Sequence, residues 1–175
     1  VRDAGRLLAA GETWSQRHSA HGLPGTNRSR LTVSSLPAMG LERRLEYLLG
    51  YPHGCVEQTV SAALPQLYLS RLIALDEEQR ARIQSNVEAA IQRLRRFQLG
   101  DGAFAYWPGA AVADDWGTSY AGHFLLEARR QGFAVPAGML ENWADYQRRV
   151  GRNPGGEPWQ WAGQAYRLYT LALAG

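Results

Sequence analysis

Apolar residues recur at helical spacing along most of this chain, and Gly- and Pro-rich loops separate the helical segments. Two of the loops, residues 98–109 and 147–161, resemble each other, since each follows a predicted helix, contains glycine and ends in aromatic residues. Their spacing of about 46–50 residues indicates repeated helical hairpins. Such hairpins suit an all-α barrel of inner helices wrapped by outer ones, and an irregular helical bundle is the alternative.

The same pattern predicts six helices joined in pairs. They span about 41–49, 55–72, 76–97, 116–131, 136–150 and 161–174. Pro65 lies inside the second helix and predicts a kink there. The acidic run that starts at Asp76 is typical of the first turn of the third helix.

The first forty residues differ from the rest. Residues 28–37 alternate like a half-buried strand that Pro37 ends. We therefore expect 1–38 to be an extended connector or the tail of a preceding β-rich module, and 39–175 to be the helical domain. Because Val1 is not an initiator methionine, we also expect the chain to be a piece of a longer one, with any signal peptide outside it.

Composition narrows the functional classes. No apolar run is long enough to cross a membrane, so we expect no direct membrane insertion. The 19 basic residues are all arginine; they are scattered and lack aromatic interleaving, which favours solvated faces such as Arg93–Arg96 over a nucleic-acid site. Codon bias is one explanation for the missing lysine. Whatever the cause, the absence of lysine leaves the domain without a side-chain amine that could attack an electrophile of its own.

The single cysteine excludes an intramolecular disulfide and a multi-cysteine metal site. The four histidines show no metal-ligand spacing, so we expect no metal and no cofactor. His53 lies close to Cys55 in sequence, but residues two apart at a glycine turn rarely point together, which argues against a catalytic dyad. The histidines concerned are His18, His21, His53 and His123.

Cys55 and Gln58 are neighbours on one face of a predicted helix that starts after Gly54. Backbone N–H groups at a helix start stabilise a thiolate, and the Gln58 carbonyl lies within its reach. Attack with loss of ammonia would close a thioester ring of about fifteen atoms. The alternative is that Cys55 is a small buried hydrophobe and that the spacing is accidental.

The run 50-GYPHGCVEQTVS-61 resembles the thioester signature Gly-Cys-x-Glu-Gln of the alpha-2-macroglobulin and complement family, in its bacterial form Tyr-Pro-Tyr-Gly-Cys-Leu-Glu-Gln. The likeness continues in 64-LPQLY-68, 101-DGAFAYWPG-109 and 115–136, and covers about residues 40–175. His53 and Val56 are mild departures.

The resemblance implies a thioester domain folded as an α/α toroid, of which this chain holds about three hairpins. It implies a single-use inhibitor and no turnover enzyme: a protease cuts a bait segment elsewhere, and one of its lysine amines attacks the Gln58 carbonyl and expels Cys55. Target proteases and the β-rich domains of a parent chain are the implied partners. The implied location is the bacterial periplasm or cell envelope, in a defensive role, with a lipid anchor on the parent left open.

The resemblance also assigns residues. Glu57 belongs to the signature, with no physical role beyond favourable charge in a first helical turn. We expect four aromatic residues either to shield the thioester from water or to fill the core: Tyr51, Tyr106, Trp107 and Trp116. Complement relatives that transfer to hydroxyls use a histidine in a loop matching Gly155–Trp161, where this chain has none, so we expect transfer to amines.

Two other functions compete with the covalent trap. A toroid in which the thioester never forms would be a binding or scaffold module. A cysteine-nucleophile enzyme on a helical fold would need no Gln58, and the sequence offers it no credible base.

Overall fold

The computed structural model describes two separate units, Val1–Ala38 and Met39–Gly175. The described residues are 5–17, 19, 22–23, 25–26, 31, 33, 47–152, 157 and 160–175. Described residues of the first unit lie in turns or irregular backbone. Most of the predicted strand 28–37 and residues 41–46 of the predicted first helix lie outside the described residues, so both remain predictions.

The second unit is helical, and the part of it that the structure describes contains no sheet. Its helices are α1 Val56–Ala63, a 3₁₀ helix Leu64–Tyr68, α2 Leu69–Leu72, α3 Glu77–Leu94, α4 Asp115–Arg130, α5 Ala137–Gly151 and α6 Trp161–Ala174. The predicted helices 76–97, 116–131, 136–150 and 161–174 are confirmed to within a few residues. None of the described helices is long and apolar enough to cross a membrane.

Pro65 does more than kink the predicted helix 55–72. It stands at the start of the 3₁₀ segment that divides α1 from α2. Proline has no N–H to donate to the preceding turn, and its ring crowds that turn's carbonyl, so the α-helical ladder cannot continue through it.

Helix α3 forms as its pattern predicts. Asp76 caps its first turn, and Ile83, Val87 and Ile91 recur at helical spacing and are buried. This apolar stripe joins one core that also holds Val56 and Phe124 from α1 and α4. Burial of the stripe, more than helix propensity, therefore fixes α3 in place.

Helix α4 is at the centre of the domain and contacts α1, α3, α5 and α6. Helix α4 thus lies against both α1 and α6. In sequence, α3 comes between α1 and α4, and α5 comes between α4 and α6. This is the arrangement of an α/α toroid-type fold and not of an irregular bundle. Trp143 of α5 is fully buried and donates its indole N–H to the Thr118 carbonyl of α4, 2.9 Å away.

A buried arginine ties three helices together. Arg167 of α6 is 5% exposed; its Nε donates to Oε1 of Gln147 in α5 at 2.8 Å, and its Nη2 donates to Oδ1 of Asp115 in α4 at 3.0 Å. A buried guanidinium is costly without partners, so these bonds fix the relative positions of the three helices.

Candidate functional site

Cys55 and Gln58 meet at the start of α1 through two reciprocal hydrogen bonds. The Gln58 backbone N–H donates to Cys55 Sγ at 3.4 Å, and the Cys55 backbone N–H donates to Gln58 Oε1 at 3.1 Å. Cys55 is the N-cap residue and is only 3% exposed. The pair is a capping box in which cysteine takes the place of the usual serine, threonine or aspartate.

The hydrogen bonds also orient the Gln58 carboxamide. A backbone N–H can only donate, so the atom that it meets must be the carbonyl oxygen and not the amide nitrogen. The carbonyl that Cys55 would attack is therefore held beside the thiol, and its oxygen accepts a hydrogen bond from the Cys55 backbone N–H. The structure brings together the two residues that the sequence singles out.

Gly54 makes this approach possible. Its φ is +90°, a conformation that residues with a Cβ rarely adopt. A Cβ at this position would lie 2.0 Å from Gln58 Oε1 and 2.9 Å from its Cδ. Only glycine can precede the cysteine while the carboxamide stays where it is.

Arg93 of α3 holds the turn from the other side. Its Nη2 donates to the Gly54 carbonyl at 2.7 Å, and its Nε donates to Oγ1 of Thr59, a fully buried residue of α1, at 3.2 Å. The prediction of a solvated face is wrong for this arginine, which is half-buried. Because Arg93 lies seven residues after the buried Asn86 and four before the buried Phe97, its spacing already placed it on a buried face.

The aromatic loop 99–114 packs on the same helix start. The Tyr106 carbonyl accepts the otherwise orphan N–H of Val56 at 3.1 Å. A side-chain hydrogen bond with Cys55 and the charge of Cys55 raise the pKa of Tyr106 to about 12. Among the predicted shielding residues, Tyr106 is therefore the one whose side chain interacts electrostatically with Cys55.

The other three aromatic candidates are also exposed. Tyr51 and Trp107 are exposed, with Trp107 in edge contact with Tyr106 at 5.7 Å. Trp116 lies 5.0 Å from the Tyr166 ring, in an aromatic group between α4 and α6. All four candidates are more than a third exposed, so the alternative that they fill the core is wrong. Their shielding role stays a prediction.

Two buried amides anchor the backbone ahead of Tyr51. Asn86 Nδ2 donates to the Leu49 carbonyl at 3.0 Å, and Gln66 Nε2 donates to the Gly50 carbonyl, also at 3.0 Å. Asn86 also donates to Gln66 Oε1. The segment that leads into the site is thus tied to α3 and to the 3₁₀ helix.

Neither of the two described histidines, His53 and His123, takes part in the Cys55 contacts described above. His53 Nδ1 hydrogen-bonds the Tyr51 carbonyl at 2.9 Å. His123 Nδ1 bonds the Tyr166 hydroxyl at 2.9 Å, and burial lowers the pKa of His123. His18 and His21 lie outside the described residues. Within the described part of the chain, no three His, Cys, Asp or Glu side chains are grouped as metal ligands.

Glu57 is exposed in the first turn of α1. A carboxylate there interacts favourably with the helix dipole, and its function in the signature stays a prediction.

Sequence reasoning missed three contributors to the site: Arg93, Thr59 and Gly117. A Cβ on Gly117 of α4 would lie 2.5 Å from Val56 Cγ1, so this glycine lets α4 approach the start of α1 closely. The sequence signal for it is weak, because a lone glycine inside a predicted helix indicates close packing but not the partner.

Comparison with known proteins places the site in a family. Residues 31–147 match the A-macroglobulin TED domain. Alpha-2-macroglobulin of Escherichia coli (strain K12) is 34% identical over 163 residues, which cover 86% of this chain and 10% of that protein. The chain thus spans about a tenth of the length of this relative.

Solved structures of two relatives share the fold. Salmonella alpha-2-macroglobulin reacted with methylamine gives a TM-score of 0.63 at 31% identity, covering 75% of this chain and 9% of the other. Trypsin-activated Escherichia coli alpha-2-macroglobulin gives 0.59 at 31% identity, covering 70% and 9%.

Proposed function

This chain belongs to the alpha-2-macroglobulin family as a thioester-containing (TED) domain, and on that premise we propose that Cys55 and Gln58 form an internal thioester that covalently traps an attacking protease. The observation that carries the proposal is the reciprocal pair of hydrogen bonds between the two residues. It supports the chemistry because it sets the nucleophile beside the carbonyl without help from a substrate.

Thioester formation balances within the pair. Cys55 Sγ bonds to Gln58 Cδ, the Cδ–Nε2 bond breaks, and ammonia leaves with the thiol proton. The ring holds about fifteen atoms, because the two residues are three apart on one helical face. Nothing outside the chain is consumed.

Trapping is the reverse kind of step with a different amine. A lysine amine of the protease bonds to Gln58 Cδ, the Cδ–Sγ bond breaks, and the amine's proton passes to the released thiolate. The product is a stable amide, so each molecule acts once and is not a turnover enzyme. These 175 residues include no lysine that could quench the thioester from a side chain. Since segment Gly155–Trp161 contains no histidine to redirect transfer to hydroxyls, amines are the expected acceptors.

The relatives supply the context for this chemistry. The Salmonella protein is described as reacted with methylamine, a small amine, and the Escherichia coli protein as activated by trypsin. By likeness to them, this domain acts within a larger bacterial protein whose β-rich domains cover it, in the periplasm or cell envelope. Protease cleavage elsewhere in that protein then exposes the thioester. Tyr106, beside the thiol, is the leading candidate for keeping water away, with Tyr51, Trp107 and Trp116 behind it.

Peptide mapping of the full-length gene product tests the proposal. Trypsin releases one peptide, Leu45–Arg71, that contains both residues. With the thioester formed, the protein is lighter by about 17 Da, and methylamine frees one thiol and leaves Gln58 heavier than glutamine by about 14 Da. Gln58→Ala removes the carbonyl and should abolish incorporation. Incorporation that persists in Gln58→Ala, or native protein with a freely titratable Cys55 and no incorporation, contradicts the trap and leaves a scaffold module.

A further inference from the structure

Resting on the proposed function, we propose that the peptide unit between Gly54 and Cys55 is the oxyanion donor of the thioester chemistry, and that Arg93 is the residue that positions and polarises it. The proposal assigns a role to an arginine 39 residues away from the turn that it contacts. It names a chemical function for a backbone group that the signature motif does not reveal.

The geometry rests on one peptide plane. Its carbonyl, from Gly54, accepts a hydrogen bond from Arg93 Nη2 at 2.7 Å. Its N–H, from Cys55, donates to Gln58 Oε1 at 3.1 Å. The guanidinium and the reactive carbonyl therefore occupy opposite ends of the same dipole, with the positive group at the oxygen end.

Negative charge develops on Gln58 Oε1 whenever a nucleophile attacks Cδ. The Cys55 thiol is that nucleophile when the thioester forms, and an amine is that nucleophile when it opens. In the unreacted pair the Cys55 N–H already points at the oxygen, so it stabilises the charge without reorganising when the thioester forms, and we assign it the same role when the thioester opens. The leaving sulfur has its own donor in the opening step, because the Gln58 N–H lies 3.4 Å from Sγ.

Arg93 strengthens this donor in two ways. A cation on the carbonyl oxygen draws electron density out of the peptide and makes its N–H a better donor. The arginine is also fixed, since its Nε bonds the buried Thr59 hydroxyl and its guanidinium lies 5.5 Å from the centre of the Phe97 ring. Glycine leaves the peptide plane freer to rotate than a residue with a side chain would. The hydrogen bond from Arg93 to the Gly54 carbonyl therefore matters more for its orientation than it would at another residue.

A purely structural arginine predicts the opposite result. If Arg93 only held the fold, its loss would loosen the site and expose the thioester, and amines would react faster. If it polarises the oxyanion donor, its loss slows attack by every nucleophile at Cδ. The sign of the rate change separates the two.

The test compares Arg93→Gln, Arg93→Lys and the control Arg96→Gln in the full-length gene product. Arg96 is exposed just beyond the end of α3. Thiol release after methylamine addition gives the rate per thioester, and the mass of Leu45–Arg71 gives the fraction formed. Arg93→Gln should react about tenfold more slowly, less than the loss of a direct oxyanion donor. Arg93→Lys, which keeps a cation but not the planar fork, should fall between it and the wild type. Arg96→Gln should match the wild type.

Arg93→Gln that reacts at the wild-type rate or faster overturns the inference. Arg93→Gln that forms no thioester at an unchanged melting temperature supports it, since formation passes through the same oxyanion. If the melting temperature of Arg93→Gln falls, the Arg93→Lys variant decides. Slower reaction of Arg93→Lys with methylamine supports the inference, and reaction at the wild-type rate or faster overturns it. Wild-type protein that takes up no methylamine overturns the proposed function and this inference together, whereas a reactive wild type with an unaffected Arg93→Gln overturns only the inference.

Discussion

Helices α1 and α3 begin with the same hydrogen-bonded arrangement, built from 55-CVEQ-58 in one and 76-DEEQ-79 in the other. In each, the N-cap side chain accepts from the backbone of the glutamine three residues on, and the glutamine oxygen accepts from the N-cap backbone. The glutamine oxygen lies 3.1 Å from the Cys55 nitrogen and 3.0 Å from the Asp76 nitrogen. The geometry that brings a nucleophile to a carboxamide is thus an ordinary way to begin a helix.

The surroundings of the two helix starts differ in three respects. Cys55 is buried, whereas Asp76 is exposed. Gly54 precedes the cysteine at φ +90° under the hold of Arg93, whereas Leu75, a core residue, precedes the aspartate. The third difference is the nucleophile, since sulfur is a far better one than a carboxylate oxygen. The capping box is therefore common to both helix starts, and the reactivity comes from the thiol and from the buried surroundings that enclose it.

The largest expected effect comes from serine at the two N-cap positions. Cys55→Ser keeps a capping side chain but replaces the thiol with a poor nucleophile at neutral pH, so methylamine incorporation should be lost completely. Asp76→Ser should leave incorporation unchanged. Both variants should lose less than about 1 kcal/mol in the free energy of unfolding, because serine is a good N-cap. Peptide mass measures incorporation, and denaturant unfolding measures stability. Methylamine incorporation that persists in Cys55→Ser would contradict the assignment of reactivity to the thiol.

A smaller effect is expected from the residue before the cysteine. Gly54→Ala pays the strain of positive φ and also places a Cβ on the Gln58 carboxamide, so thioester formation should fall at least about tenfold. Gly132→Ala is the matched control, because Gly132 has φ +91° and open space around the Cβ position.

The two glycine variants should lose comparable stability, about 1 kcal/mol from positive φ alone, with a further loss for Gly54→Ala from the clash. Denaturant unfolding and methylamine uptake measure the two effects separately. Equal uptake in both variants would show that contact with the carboxamide does not matter.

The titration of Tyr106 reports the charge on Cys55 at the reactive helix start. In methylamine-opened protein, the hydrogen bond and charge of Cys55 raise the Tyr106 pKa from an ordinary 10.0 to about 12. Since the folded state favours the neutral phenol, the associated stability is present below pH 10 and is lost as the pH rises through about 12. Cys55→Ala should lower this pKa toward its ordinary value. Near-ultraviolet phenolate absorbance, with Tyr106→Phe subtracted, measures it, and the same midpoint in both proteins would contradict the contact.

The local parts of this comparison were predictable from sequence, and the enclosure was not. The spacing of Ile83, Val87 and Ile91 and the acidic start at Asp76 predict α3, and the three-residue step from Cys55 to Gln58 predicts their meeting. These are relations within one helix, where geometry follows from sequence separation.

The missed contacts join distant segments. Arg93 meets Gly54 and Gly117 meets Val56 only because α3 and α4 pack around α1. Spacing marks Arg93 and Gly117 as facing a neighbour, but it does not say which neighbour. The four exposed aromatic residues show the same limit, because the resemblance names them as a shield or as core residues but does not say where each one lies.

The sharpest test moves the thiol from the start of α1 to the start of α3, where we expect no methylamine uptake. Asp76→Cys in a Cys55→Ser background creates Cys-Glu-Glu-Gln, which keeps both the spacing and the acidic residue of the signature. We expect a free thiol and no methylamine uptake, because the new cysteine is exposed to water and Leu75 replaces the glycine that admits the carboxamide. Thiol titration and the mass of the peptide bearing residue 76 measure this. Uptake at Gln79 would show that a capping box and a thiol suffice, and the roles given to Gly54, Arg93 and burial would then be unnecessary.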